Sequence, residues 1–186
     1  MIEELHTNKS IRRVLHIASK CNKVSSDRNS LVEKLVERGL VDSYGKCQHN
    51  KDFTSVQKYP PSSARDGLMK KYAFVTAFEN SFYPGYVTEK LWDPLILGSL
   101  PIYLGSPNAK SVFPEDSFVD VNDFVSYDHL CDWIEYLAEN RKSYNGYHSW
   151  QNNSIPTRVK EFWQFTNQDV NCRLCRWGAE NLFNLS

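Results

Sequence analysis

The segment YAFVTAF at 72–78 carries apolar side chains at nearly every position, without alternating between an inner and an outer face. A strand of that kind needs cover on both faces, as a parallel strand in an α/β domain has and a half-solvated hairpin strand has not. The rest of the chain repeats the theme. VLHIAS (14–19) reads as a first buried strand, VDSYG as a second, YAFVTAF as the third, LPIYLG as the fourth and SFVDV as the fifth. Segments of helical period lie between them. RNSLVEKLVERG sets Leu31, Val32, Leu35 and Val36 on one face and stops at Gly39. Thr88 caps a helix whose buried stripe is Leu91, Trp92, Leu95 and Ile96, with Glu89 in the first turn where the helix dipole favours an acid. Tyr127 to Asn140 and residues 157–165 show the same period, a short helical piece sits near Leu68 to Lys71, and 48–66, with Pro60 and Pro61, reads as a surface loop. This alternation predicts an α/β domain with a mainly parallel sheet and right-handed crossovers.

At 186 residues the chain has the length of one domain. Its 22 basic and 22 acidic residues cancel, which argues against a nucleic-acid partner or an anionic-membrane surface. No stretch reaches the roughly 18 to 20 apolar residues of a bilayer span, and MIEELHTNKS lacks the apolar core of a signal peptide.

Five cysteines, Cys21, Cys47, Cys131, Cys172 and Cys175, permit two bridges and one free thiol. Cys131, in the apolar helical pattern LCDWIEYL, reads as a small buried residue. NCRLCRW is open to three readings: redox motif, half a zinc site, or local disulfide. His129 and His148 are isolated, so no second ligand pair completes a zinc site. An oxidised Cys172–Cys175 pair in a secretory compartment is the expectation. The N-x-S sequons at Asn8, Asn152 and Asn184 are compatible with that compartment.

In an open parallel sheet, ligands bind at the carboxyl ends of strands, which directs attention to the loops after residues 19, 78 and 104. SKCNKVSSDR carries Arg28 at a helix start, FENSFYPGYVTEK places Lys90 in a first helical turn, and GSPN allows close backbone approach. Arg28 and Lys90 near helix N-termini form a diphosphate site without a glycine-rich finger. P-loop, G-x-G-x-x-G, H-E-x-x-H, G-x-S-x-G and D-x-D motifs are absent, and DVND at 120–123 reads as a strand running into an Asx-type turn. No visible motif requires a divalent metal, and no tightly bound cofactor is expected.

FENSFYPGYVTEKLWD resembles the signature of the α1,3-fucosyltransferases, FEN, a short gap, then YVTEK. SKCN with Arg28 downstream, VDSYGKC, PIYLGSPN, VFPEDSFVDVNDF and CRLC follow the family's order, so the resemblance runs from about Val14 to Trp177. It implies a GDP-fucose-binding domain over 14–177, flanked by a poorly defined segment at 1–13 and a tail at 178–186. That domain would be Rossmann-like, with helices on both faces, the C-terminal half of a GT-B glycosyltransferase. Carried over by position, Arg28 and Lys90 resemble the contacts to the GDP pyrophosphate, and Asn80, Tyr86 and Glu89 those around fucose, ribose and phosphates. Ser19 and Asn22 fall in the loop associated with the donor.

The implied reaction is inverting transfer of L-fucose from GDP-β-L-fucose to N-acetylglucosamine of a glycoprotein glycan in α1,3 linkage. Arg28 and Lys90 would stabilise the departing diphosphate, and Glu89 the positive charge on the ring. SYGKC, QHNKD and CRLC lean towards N-glycan core enzymes, with terminal Lewis-type lactosamine and fucosylation directly on protein as the open alternatives. Family members sit in the Golgi lumen, anchored to the membrane by a segment this sequence does not contain. Their general base belongs to an N-terminal domain with no matching segment here. The competing expectation is a noncatalytic nucleotide-sugar-binding module.

Overall fold

The computed structural model describes residues 9–19, 21, 28–53 and 62–152. At its centre is a five-stranded sheet of order β2-β1-β3-β4-β5, built from β1 (Ile11–Ala18), β2 (Val41–Gly45), β3 (Tyr72–Phe78), β4 (Leu100–Leu104) and β5 (Val119–Asp120). Every neighbouring pair is parallel. The helices are α1 (Arg28–Glu37), α2 (Ser62–Met69), α3 (Glu89–Ile96), α4 (Ala109–Val112), α5 (Tyr127–Glu139) and α6 (Arg141–Gly146).

The period of two along the strands separates two buried faces. Val14, Phe74 and Ile102 join Leu31 and Leu35 of α1, Leu130, Ile134 and Leu137 of α5, and Tyr144 of α6. The opposite face is filled in two patches: Leu15 and Val75 pack with Met69 of α2, and Ala77 and Tyr103 pack with Leu91 and Leu95 of α3 and with Ala109 of α4. Helices therefore cover both faces, and YAFVTAF is buried along almost its whole length. At about 1.5–3 kcal/mol for each large apolar side chain removed from water, this burial is the main force holding the layers together. Tyr144 adds direction, since its hydroxyl donates to the Ala73 carbonyl at 2.8 Å and its ring meets Phe74 edge-on.

The strand order leaves β1 and then returns to its other side for β3, so the topological switch point lies between the carboxyl ends of β1 and β3. That single feature of connectivity decides where a ligand cavity can open.

Several elements differ from the sequence expectation. β1 begins at Ile11 rather than Val14, because the Ile11 amide bonds Lys71 and the register against β3 shifts before Val14. β5 keeps only Val119 and Asp120 of SFVDV: Phe118 turns into the core against Tyr103, and the Asp120 carboxylate caps the following turn at Val121–Asp123. α2 occupies Ser62–Met69, starting inside the stretch expected as loop and overlapping only the first part of Leu68 to Lys71. Ile96 is 63% exposed instead of buried. Leu91 and Leu95, one turn apart, take the inward face of α3, and Ile96 sits about 100° further round, where the helix ends. Residues 157–165 lie outside the described residues.

Candidate functional site

Thr88 has extended backbone and opens α3, its hydroxyl accepting from the Lys90 amide at 3.4 Å. Glu89 and Lys90 are thereby fixed as the first two residues of the helix, facing the ends of β1 and β3. On the other wall, Arg28 is the first residue of α1 and is only 7% exposed. Its Nη1 donates to Oδ1 of Asn80 at 3.2 Å, joining the start of α1 to the loop after β3. Burial lowers the Arg28 pKa from the ordinary arginine range.

A cavity of about 240 Å³ opens at this point, lined by Ser19, Arg28, Asn80, Glu89 and Lys90 among others. These sequence-selected residues come together from widely separated segments. Tyr86 is not among the described lining residues; it is 37% exposed, and its amide donates to the Tyr83 carbonyl at 3.0 Å. Asn22 lies outside the described residues, as do Cys172 and Cys175 and the sequons at Asn8 and Asn184.

The cavity also contains residues that the sequence reading passed over: His16, Thr76, Arg65 and Asp93. The His16 Nδ1 lies 2.7 Å from the Thr76 hydroxyl, and burial, followed by the nearby Arg28 charge, lowers its pKa to about 4. The imidazole is therefore neutral at physiological pH. Asp93, 3.8 Å from Arg65, has its carboxyl pKa raised by burial. Nothing in the local sequence marks Arg65 or Asp93; they line the cavity from α2 and α3, 3.8 Å from each other. His16 had one available signal, a polar residue inside a buried strand.

Glu79 was also missed. It is wholly buried, and its backbone amide donates to the Leu104 carbonyl at 2.8 Å, so the main chain runs on from β3 in register with β4. The carboxylate accepts from the Thr88 amide at 2.7 Å and from the Thr88 hydroxyl at 2.8 and 3.0 Å. Lys90 Nζ donates to the Thr88 hydroxyl at 3.0 Å and to Glu79 at 3.4 Å, with Glu89 at 3.7 Å. The GSPN loop supports this cluster from behind. A Cβ on Gly105 would lie 2.4 Å from the Tyr103 hydroxyl and 2.7 Å from Glu79 Cγ, so glycine is needed there for internal packing. Ser106 and Asn108 accept from the Gly85 amide at 3.0 and 2.8 Å, tying the two loops together.

Cys21, after β1, is joined by a disulfide to Cys47, after β2, a pairing the sequence reading did not make. A signal was present: each cysteine closely follows one of two adjacent parallel strands, β1 and β2. Gly45 has φ +96°, and a Cβ there would meet the Ala18 carbonyl at 2.4 Å, so only glycine lets the two exits approach this closely. Cys131 is free and buried as expected, and burial pushes its thiol up to about 11. Asp120 accepts from the backbone and side-chain nitrogens of Asn122, both at 2.9 Å, the Asx-type turn read from DVND. Among the described residues, no group of three or more His, Cys, Asp or Glu side chains could hold a metal ion.

Strand order, two-sided helical cover and a polar cavity at the switch point define a doubly wound α/β domain of the ligand-binding type. Over residues 7–182 the sequence matches the family described as glycosyltransferase family 10 (fucosyltransferase), C-terminal, and the chain belongs to that family. Alpha-(1,3)-fucosyltransferase B of Drosophila melanogaster is 39% identical over 72% of this chain and 31% of its own length. GDP-fucose protein O-fucosyltransferase 3 of Xenopus tropicalis is 34% identical over 94% of this chain and 41% of its own. The chain thus spans well under half the length of these relatives.

Among solved structures, an α1,3-fucosyltransferase superposes with a TM-score of 0.61 at 29% identity, covering 73% of this chain and 36% of that one. An α1,3-fucosyltransferase with GDP-fucose gives 0.66 at 23% identity, covering 90% and 54%, a likeness of fold.

Proposed function

We propose that this domain holds GDP-fucose at the β1/β3 switch point. Arg28 and Lys90 take the diphosphate, together with the amide groups at the starts of α1 and α3. Asn80, Tyr86 and Glu89 surround the fucose and ribose, and Ser19 and Asn22 flank the donor. The observation that carries this reading is the convergence of Ser19, Arg28, Asn80, Glu89 and Lys90 on one cavity. Cations beside helix N-termini suit a diphosphate, because ordered amides and fixed charge both favour the anion there.

In the full reaction the acceptor hydroxyl attacks the anomeric carbon while the bond from that carbon to the diphosphate oxygen breaks. GDP leaves with the bonding pair, its negative charge met by Arg28 and Lys90, while Glu89 favours the positive charge on the sugar ring. The acceptor proton passes to a base that family resemblance assigns to another domain. The acceptor is the N-acetylglucosamine of a glycoprotein glycan, fucosylated in α1,3 linkage. A second reading, transfer to a hydroxyl of the polypeptide itself, is favoured by the names of relatives such as the Xenopus tropicalis protein. A location in the Golgi lumen is supported by the Cys21–Cys47 bridge, since such bridges persist in oxidising compartments.

Calorimetric titration of the 186-residue chain with GDP tests the site. Arg28→Ala and Lys90→Ala are each expected to weaken binding by about tenfold or more, the effect of one charge-assisted hydrogen bond. Unchanged affinity in both variants would remove the assigned diphosphate site.

A further inference from the structure

Lys90 does not stand alone in the cavity wall. Its ammonium rests on the Thr88 hydroxyl at 3.0 Å and on the Glu79 carboxylate at 3.4 Å, and Glu79 is the more rigid partner. Glu79 is wholly buried, whereas the competing carboxylate of Glu89 is 59% exposed and 3.7 Å away. A buried carboxylate is expensive unless its oxygens are matched by donors, and here the Thr88 amide, the Thr88 hydroxyl and Lys90 provide them. The far side of Glu79 is closed by Gly105, where even a methyl group would collide with Glu79 Cγ. The carboxylate is thus held by Thr88 on one side and bounded by Gly105 on the other, and the Lys90 ammonium rests against it.

We infer that Glu79 is a positioning residue for the nucleotide diphosphate, acting through Lys90. It holds the ammonium at the mouth of α3 before the ligand arrives, in place of the many rotamers open to a lysine side chain. The same carboxylate accepts from the Thr88 amide through its other oxygen, a bond that the oxygen kept in Glu79→Gln preserves. This rests on the diphosphate site proposed above and adds a residue to it. A purely structural Glu79, a scaffold for the Thr88 cap, would make a different prediction: its loss would disturb the site whether or not Lys90 is present.

The discriminating experiment is a double-mutant cycle on the 186-residue chain, with GDP and guanosine as separate probes. Glu79→Gln keeps the shape and one acceptor oxygen. It is expected to weaken GDP by roughly tenfold, to leave guanosine within about twofold, and to cause no further loss of GDP affinity in a Lys90→Ala background. Equal losses for both probes, a loss that persists without Lys90, or unchanged GDP affinity would each overturn the inference. Should Glu79→Gln not fold, Glu79→Asp retains the charge while drawing it back by one methylene. That variant is expected to weaken GDP selectively, and full GDP affinity in it would overturn the inference. If the unmodified chain binds GDP no better than guanosine, the diphosphate reading itself fails and the inference falls with it. If it prefers GDP and the cycle is additive, only the role of Glu79 falls.

Discussion

His16 shows how burial, with the Arg28 charge beside it, keeps an imidazole neutral. His16 titrates near 4 instead of the ordinary 6.5, through burial and then through the Arg28 charge. Between those values the unfolded chain binds a proton that the folded chain refuses, so stability declines as pH falls from about 6.5 to about 4. Complete expression of that shift amounts to roughly 3 kcal/mol, and urea unfolding across this pH window should show His16→Gln as less pH-sensitive than the unmodified chain. GDP is expected to raise the His16 pKa by offsetting Arg28, which imidazole chemical shifts would report; an unmoved titration would argue against a diphosphate beside Arg28. Asn80 was legible at this scale from the motif alone. Glu79 was not, since a glutamate next to a strand end reads as an ordinary solvated residue until its total burial is known.

At the scale of elements, the helix starts were the most readable features. Thr88 before Glu89, and Ser126 before Tyr127, both accept from a first-turn amide in the manner expected of helix N-caps. Element ends were less readable, because the endings of β5 and α3 depend on which neighbours Phe118 and Ile96 can reach. The Cys21–Cys47 bridge belongs to this scale as well, closing a separation of 26 residues around α1 and fastening the exits of β1 and β2. A loop of that size contributes about 3.5 kcal/mol in the chain-entropy account. Reduction is therefore expected to lower the urea-unfolding stability by about that amount, and to weaken GDP binding as Cys21 is released from Cys47. Identical unfolding curves and GDP affinity with and without reductant would contradict both statements.

For the molecule as a whole, the sheet is a frame that gathers loops from distant parts of the sequence at one edge. The prediction at this scale concerns division of labour. The 186-residue chain is expected to bind GDP yet transfer little fucose, while a protein with the length of the relatives transfers it. A single-turnover assay with labelled GDP-fucose compares the two, and equal rates would mean that this domain holds its own base. No helix among the described residues is long and apolar enough to cross a membrane.

Periodicity by itself determined the parallel α/β class, the approximate strands and the starts of α1, α3 and α5, because two-sided burial and capping are local demands written into consecutive residues. The ordered motifs determined the family and singled out Arg28, Asn80, Glu89 and Lys90. Only the tertiary structure decided that Cys21 pairs with Cys47 and that Arg65 and Asp93 face the cavity. It also decided that Glu79 is buried beneath Lys90. The physical reason is that burial and contact between segments distant in sequence depend on strand order and helix packing, which a local residue pattern does not encode.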